Sequence, residues 1–224
     1  MSISPVDHPG KARMSGSRAA VLVFVRAPEA GLVKTRLAAE IGPEAALRVY
    51  KMLAEQAVAA ASGAGIDTAV RVHFTPADAE RAVREWLGDG PVYLPQAPGD
   101  LGDRLRNAFR EAFRAGHERV VVIGSDLPAM HAELLRHAFR MLDEHTAVLG
   151  PARDGGYYLL GLREPCPQLF TGIPWSTERV LEHTLERLRL AGAAPVLLET
   201  LTDVDHADDL PAGWLEDLSA DNPR

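Results

Sequence analysis

From Ala19 onward the chain repeats one rhythm, a short β-branched run followed by a stretch with helical spacing, and this alternation constrains the fold more than any other feature. The runs Ala20–Val25, Thr68–Phe74, Val92–Leu94, Val120–Ile123 and Thr146–Leu149 read as strands. Between them Pro43–Ala61, Pro76–Leu87, Leu101–Ala115 and His131–Leu142 read as helices. Leu105, Ala108, Phe109, Ala112 and Phe113 form one apolar stripe, with Gly116 where a left-handed cap belongs. Gly42-Pro43-Glu44 and Thr75-Pro76 look like helix starts, because proline is tolerated in a first turn. Such alternation predicts an α/β fold, a mostly parallel mixed sheet with helices on both faces. After Gly150 the rhythm changes. Tyr157–Leu162 is expected as an antiparallel or edge strand, residues 163–175 as a Pro-rich loop, Thr177–Leu190 as a helix and Pro195–Glu199 as a last strand.

No repeat and no long linker divides the chain, so one domain is expected over residues 19–212. Residues 1–18 mix Pro, Gly, Ser and isolated charges, which suggests a flexible extension. Residues 213–224 form an acidic tail. Lys plus Arg number 24 against 31 Asp plus Glu, a net charge of −7, and Asp203–Arg224 alone holds seven acids and one arginine. The body is therefore close to neutral, without the basic footprint that nucleic acid or an anionic membrane would require. The apolar run Ala19–Val25 is too short to span a bilayer, and a cytoplasmic protein with no membrane insertion is expected. Cys166 is the single cysteine, which excludes an intramolecular disulfide and thiolate zinc sites.

In an open α/β sheet, ligands bind beyond the carboxyl ends of the strands, and here those positions are polar. After the first strand, Arg26, Lys34 and Arg36 place three cations within eleven residues around Gly31. The spacing is wrong for a Walker A loop. It suits either a clamp on phosphate oxygens or a solvated basic loop. At the end of a buried strand, Ile123-Gly-Ser-Asp126 delivers a carboxylate that must be paired, cap the helix near His131, or hold a hard divalent cation. Asp154-Gly155-Gly156 reads as a hairpin turn or a close backbone approach to a ligand. Asp203-Val-Asp205 places alternating acids after the last strand, on one side if the backbone stays extended. The histidines form no metal pair at helical spacing, and no Gly-x-Ser-x-Gly elbow is present.

Five segments in order, Phe24 to Leu37 (FVRAPEAGLVKTRL), Ile123-Gly-Ser-Asp-Leu-Pro128, Gly150 to Tyr158 (GPARDGGYY), Trp175-Ser-Thr177 and Asp203-Val-Asp205, resemble the bacterial selenodomain-associated or arsenosugar-biosynthesis glycosyltransferases. That family belongs to the nucleotide-diphospho-sugar transferase superfamily. The chain is similar, more distantly, to the phospholactate and molybdenum-cofactor guanylyltransferases, although it lacks the leading Gly-Gly of the latter. The resemblance implies a single-domain Rossmann-like GT-A fold and a transferase using Mg²⁺ or Mn²⁺. It implies that Arg26, Gly31, Lys34 and Arg36 hold the nucleotide's phosphates, and that Asp126 binds metal with Asp205 as second ligand. Gln96, Asp100 and Gly102 are then expected at the nucleoside, and Asp154, Gly155, Gly156 and Trp175 on the sugar or acceptor side. The expected partners are a nucleotide sugar or NTP and a small-molecule acceptor. Glycosyl transfer is the first expectation, with Lys34, Arg36, Asp126 and Asp154 catalytic. Nucleotidyl transfer with pyrophosphate release is the alternative, and a non-catalytic nucleotide-binding module the second.

Overall fold

A computed structural model describes residues 17–65 and 67–214. The expected N-terminal extension and acidic tail lie almost wholly outside the described residues. Seven strands form one sheet: β1 (Ala19–Arg26), β2 (Thr68–Thr75), β3 (Val92–Pro95), β4 (Arg119–Ile123), β5 (Ala147–Pro151), β6 (Tyr157–Leu162) and β7 (Val196–Leu197). Their order is β3-β2-β1-β4-β6-β5-β7. All run parallel except β6, which is antiparallel to both neighbours. β6 is not an edge strand; it is inserted between β4 and β5.

Alternation along the strands sends side chains to two cores. Val21, Val23, Val121 and Ile123 pack beneath α2 (Pro43–Ser62) and α5 (Ala132–Glu144), reaching Ala54, Ala57, Leu135 and Ala138. Ala20, Leu22, Val120 and Val122 face the other way, onto Leu105, Ala108 and Phe109 of α4 (Leu101–Arg114) and Leu188 of α6 (Val180–Leu190). Full burial of one such large apolar side chain contributes roughly 1.5–3 kcal/mol, so both faces of the sheet must be covered.

Helix starts differ from the sequence expectation at several places. The last helix begins at Val180 and not at Thr177, whose hydroxyl donates to the Pro174 carbonyl at 2.7 Å. Thr75 does not cap a helix: it pairs in register with Arg26, and its carbonyl accepts a hydrogen bond from Ala27 N at 2.8 Å. With its backbone held in the sheet, α3 begins only at Glu80 and runs to Leu87. An additional helix, α1 (Thr35–Ile41), follows the basic loop. Its buried Leu37 joins Ala46, Val49 and Leu53 of α2 in a third, smaller core with Val204. That core holds the C-terminal segment against the carboxyl ends of the strands.

Chain direction across the sheet reverses between β1 and β4. β2 and β3 are added on one side of β1, while β4 lies on its other side. This is the topological switch point at which such sheets form a crevice.

Candidate active site

Arg26 ends β1 at that crevice, and the Tyr50 hydroxyl fixes its backbone. Arg26 N donates to Tyr50 Oη at 2.7 Å, and Tyr50 Oη donates to the Arg26 carbonyl at 2.8 Å. Burial pushes the Tyr50 hydroxyl pKa up to about 12, so it remains a neutral clamp at physiological pH. The Arg26 guanidinium donates to the Leu32 carbonyl at 3.1 Å, folding the basic loop back over the strand end. Gly31 turns this loop with a φ of 78°, a conformation that glycine adopts at little cost.

Lys34 is the pivot of the site. It takes a left-handed conformation at the start of α1, φ 46° and ψ 49°, and its side chain is only 5% exposed. Its Nζ donates to the Val204 carbonyl at 2.6 Å and lies 3.1 Å from Asp126 Oδ1 and 3.7 Å from Asp205 Oδ1. A buried ammonium is costly unless so paired. Arg36, the second residue of α1, donates to Asp205 Oδ2 at 2.6 Å and leaves most of its side chain in solvent.

Asp126 does not cap α5. His131 does so, accepting from Leu134 N through Nδ1 at 3.2 Å, which leaves the Asp126 carboxylate free to face Lys34 and the crevice. The Asp205 segment is pinned from outside. Val204 N donates to the Asp126 carbonyl at 3.0 Å, and Glu40 of α1 accepts from Ala207 N at 2.8 Å while its Oε1 lies 2.6 Å from His206 Nδ1. Hydrogen bonding in this pair raises the His206 pKa and lowers that of Glu40.

Asp126 and Arg36 stand between two cavities. The smaller, about 360 Å³, is lined by Arg26, Lys34, Thr35, Tyr50, Ser125 and Asp205 besides those two. The larger, about 510 Å³, contains Asp154, Gly156, Tyr157, Trp175, Glu178 and Asp203. The Asp-Gly-Gly segment is at once the β5–β6 turn and part of this wall. Gly156 N donates to Asp154 Oδ1 at 2.8 Å. A Cβ on Gly155, whose φ is 87°, would lie 2.0 Å from the Glu178 carbonyl oxygen, so only glycine fits.

Gln96, Asp100 and Gly102 lie outside both linings. The Gln96 amide donates to the Val25 and His73 carbonyls at 3.1 and 2.9 Å, and Asp100 caps α4 by accepting from Asp103 N at 2.8 Å. Gly102 permits close packing, since a Cβ there would come within 2.5 Å of Trp175 Nε1. Asp203, Glu178, Tyr157, Tyr50 and Ser125 also line the two cavities. Of these, Asp203 stands in the Asp203-Val-Asp205 motif already singled out by its alternating acids. Burial, with Asp154 and Asp205 nearby, raises its pKa.

Among the described residues no group of three or more His, Cys, Asp or Glu side chains could hold a metal by itself. Asp126 and Asp205 do offer hard oxygen donors on either side of Lys34. Mg²⁺ commonly takes one or two carboxylates and completes its shell with substrate phosphates and water; here Lys34 pairs with both acids and Arg36 with Asp205. No helix among the described residues is long and apolar enough to cross a membrane.

Residues 57–177 match the family described as "Uncharacterized protein conserved in bacteria (DUF2064)". The chain belongs to this family. It is similar to a phosphoenolpyruvate guanylyltransferase from Chloroflexus aggregans, 30% identical over 140 residues, or 61% of this chain and 69% of that one. A crystal structure from Desulfovibrio desulfuricans G20, described as a candidate nucleotide-diphospho-sugar transferase, is 31% identical with a TM-score of 0.83, covering 91% of this chain and 96% of that one. Two further structures share the fold alone. A CMP:2-keto-3-deoxy-manno-octonic acid synthetase complexed with CTP has a TM-score of 0.56 at 15% identity, covering 91% of this chain and 98% of that one. A mannosyltransferase from Pyrobaculum calidifontis in complex with GDP-Man and Mn²⁺ has a TM-score of 0.55 at 16% identity, covering 88% and 58%. The architecture is thus the single-domain α/β fold of nucleotide-diphospho-sugar transferases.

Proposed function

We propose that this member of the DUF2064 family is a divalent-cation-dependent glycosyltransferase acting on a nucleotide-diphospho-sugar. One observation carries the reading: charge is uneven across the crevice, the smaller cavity setting Arg26, Lys34 and Arg36 against Asp126 and Asp205, and the larger setting Asp126, Asp154, Glu178 and Asp203 against Arg36 alone. The basic side suits a diphosphate, and the acidic side suits hydroxyl groups that donate hydrogen bonds to carboxylates. The resemblance of five ordered motifs to selenodomain-associated and arsenosugar-type glycosyltransferases supports the same reading.

In the transfer, the bond between the anomeric carbon and the diphosphate oxygen breaks with its electron pair going to the diphosphate. A bond from the acceptor oxygen to that carbon forms, and the acceptor's proton passes to a base. Lys34 and Arg36 border the position where charge develops on the leaving diphosphate and stabilise it there. Asp154 lines the cavity where the acceptor hydroxyl would lie and is the candidate to receive its proton. Asp126 and Asp205 would hold Mg²⁺ or Mn²⁺, which when bound supplies further charge neutralisation at the phosphates.

A specific observation favours a second reading, nucleotidyl transfer: the similar curated protein from Chloroflexus aggregans is named a guanylyltransferase. A thermal-shift panel separates the two. A ligand at one hundred times its dissociation constant adds about 2.7 kcal/mol of apparent stability. Metal-dependent stabilisation by a nucleotide-diphospho-sugar is the expected result. Stabilisation by nucleoside triphosphates alone would replace glycosyl by nucleotidyl transfer, and no shift with any nucleotide would overturn both.

A further inference from the structure

The larger cavity has a feature that a generic transferase site does not require. Four acidic residues, Asp126, Asp154, Glu178 and Asp203, line it against one cation, Arg36, whose guanidinium is already bound to Asp205 at 2.6 Å. Asp126 faces Lys34 at 3.1 Å and shares the boundary with the smaller cavity. Among the described residues Arg36 is the one cation on the cavity wall, and Asp203, with Asp154 and Asp205 as neighbours, feels Lys34 only weakly. The rest of the wall includes Trp175, Leu101 and Val180. An enclosure of about 510 Å³ is large enough for a monosaccharide-sized group together with part of a second one.

Bringing a phosphate or carboxylate against such a wall juxtaposes like charges and weakens binding. Hydroxyl groups have the opposite fate, since each can donate to an ionised carboxylate, which only accepts. An aromatic wall adds apolar contact for the carbon-bound face of a ring. We propose that the group handled in the larger cavity is an uncharged, hydroxyl-rich, carbohydrate-like moiety, and that phosphorylated or carboxylated counterparts are excluded by Asp154, Glu178 and Asp203. The inference rests on the glycosyltransferase reading and narrows its substrate class. It also sets the chain apart from its guanylyltransferase relative, since phosphoenolpyruvate carries both a phosphate and a carboxylate.

The test compares ligands that differ only in the charge of the group placed in this cavity. The full chain, with Mn²⁺, is titrated calorimetrically with UDP, UDP-glucose and UDP-glucuronate, and with GDP, GDP-mannose and GDP-mannuronate. In whichever series the bare diphosphate binds, the uronate is expected to bind at least about tenfold more weakly than the neutral sugar, the signature of like-charge exclusion. In the double variant Asp154→Asn/Glu178→Gln the gap should shrink to within about threefold, while binding of the bare diphosphate stays within about twofold of the parent. Each variant keeps side-chain size and the hydrogen-bond acceptor that Gly156 N uses at Asp154. Uronate binding equal to or tighter than that of the neutral sugar would overturn the inference while leaving the glycosyltransferase reading intact. An unchanged gap in the double variant would remove these acids from its cause. Binding of neither diphosphate would overturn the glycosyltransferase reading itself, and this inference with it.

Discussion

The two cavities flanking Asp126 share walls but differ in how they are built. The smaller draws Arg26 from the end of β1, Thr35 and Arg36 from α1 and Tyr50 from α2, and joins them through the basic loop and through Ser125, Asp126 and Asp205 in irregular backbone. The larger draws Leu101 from α4, Tyr157 and Tyr158 from β6 and Val180 from α6, but three of its acids come from connections: Asp154 in the β5–β6 turn, Glu178 before α6 and Asp203 after β7. Arg26 and Arg36 thus stand on a strand end and a helix, whereas Asp154, Glu178 and Asp203 stand on connections. On the proposed reading, the choice of transferred group and acceptor is left to segments that can vary without disturbing the sheet.

The largest effect that would test this division is at its boundary. Asp126→Asn should lower metal-dependent turnover on the order of 10²–10³-fold with little change in melting temperature; near-parental turnover would remove Asp126 from the chemistry. Lys34→Met acts on the basic side and leaves Asp126 and Asp205 without their shared ammonium. Turnover should fall about 10²-fold and nucleotide affinity should weaken with it, which calorimetry and steady-state rates together would show. Trp175→Ala acts on the other side alone. We expect about a tenfold rise in acceptor KM with nucleotide affinity unchanged within about twofold; equal losses of both would mean that the cavities are not separate sites.

The smallest effect lies outside both cavities and serves as a control on stability. His73 is buried in β2, stacked on Phe24 with ring centroids 5.3 Å apart, and burial lowers its pKa to about 4. Because its folded pKa is below the unfolded value of 6.5, the unfolded state binds more protons between these values. Stability should therefore fall by about 1.4 kcal/mol per pH unit as pH drops from 6.5 toward 4, from this residue. His73→Leu should flatten that portion of a denaturation-versus-pH profile, and an unchanged slope would assign it to the carboxylates.

The same contrast explains what could be read from the sequence. Strand runs and the α4 stripe announce themselves by periodicity, so the sheet and its two cores were legible. So were Arg26, Lys34, Arg36, Asp126 and Asp205, which sit in short polar motifs beside strand ends and come together in the structure. Helix α1 was not legible, because its seven residues bury only Leu37 and follow directly on the cationic loop. Glu178 and Asp203 lie in irregular backbone whose placement depends on distant packing, such as Val204 against Leu37 and Leu53. Gln96 and Asp100 have the polar character of ligand-binding residues, but their hydrogen bonds tie a loop to strand ends and cap a helix. Local chemistry alone could not distinguish these uses.

Phosphorus-31 NMR of the products tests the proposed reaction most directly. The protein would be incubated with Mn²⁺, a hydroxylated acceptor and the nucleotide-diphospho-sugar that stabilises it, and in parallel with the matching triphosphate. Glycosyl transfer predicts release of nucleoside diphosphate from the sugar nucleotide and an unchanged triphosphate. Pyrophosphate from the triphosphate, with the sugar nucleotide left intact, would contradict it.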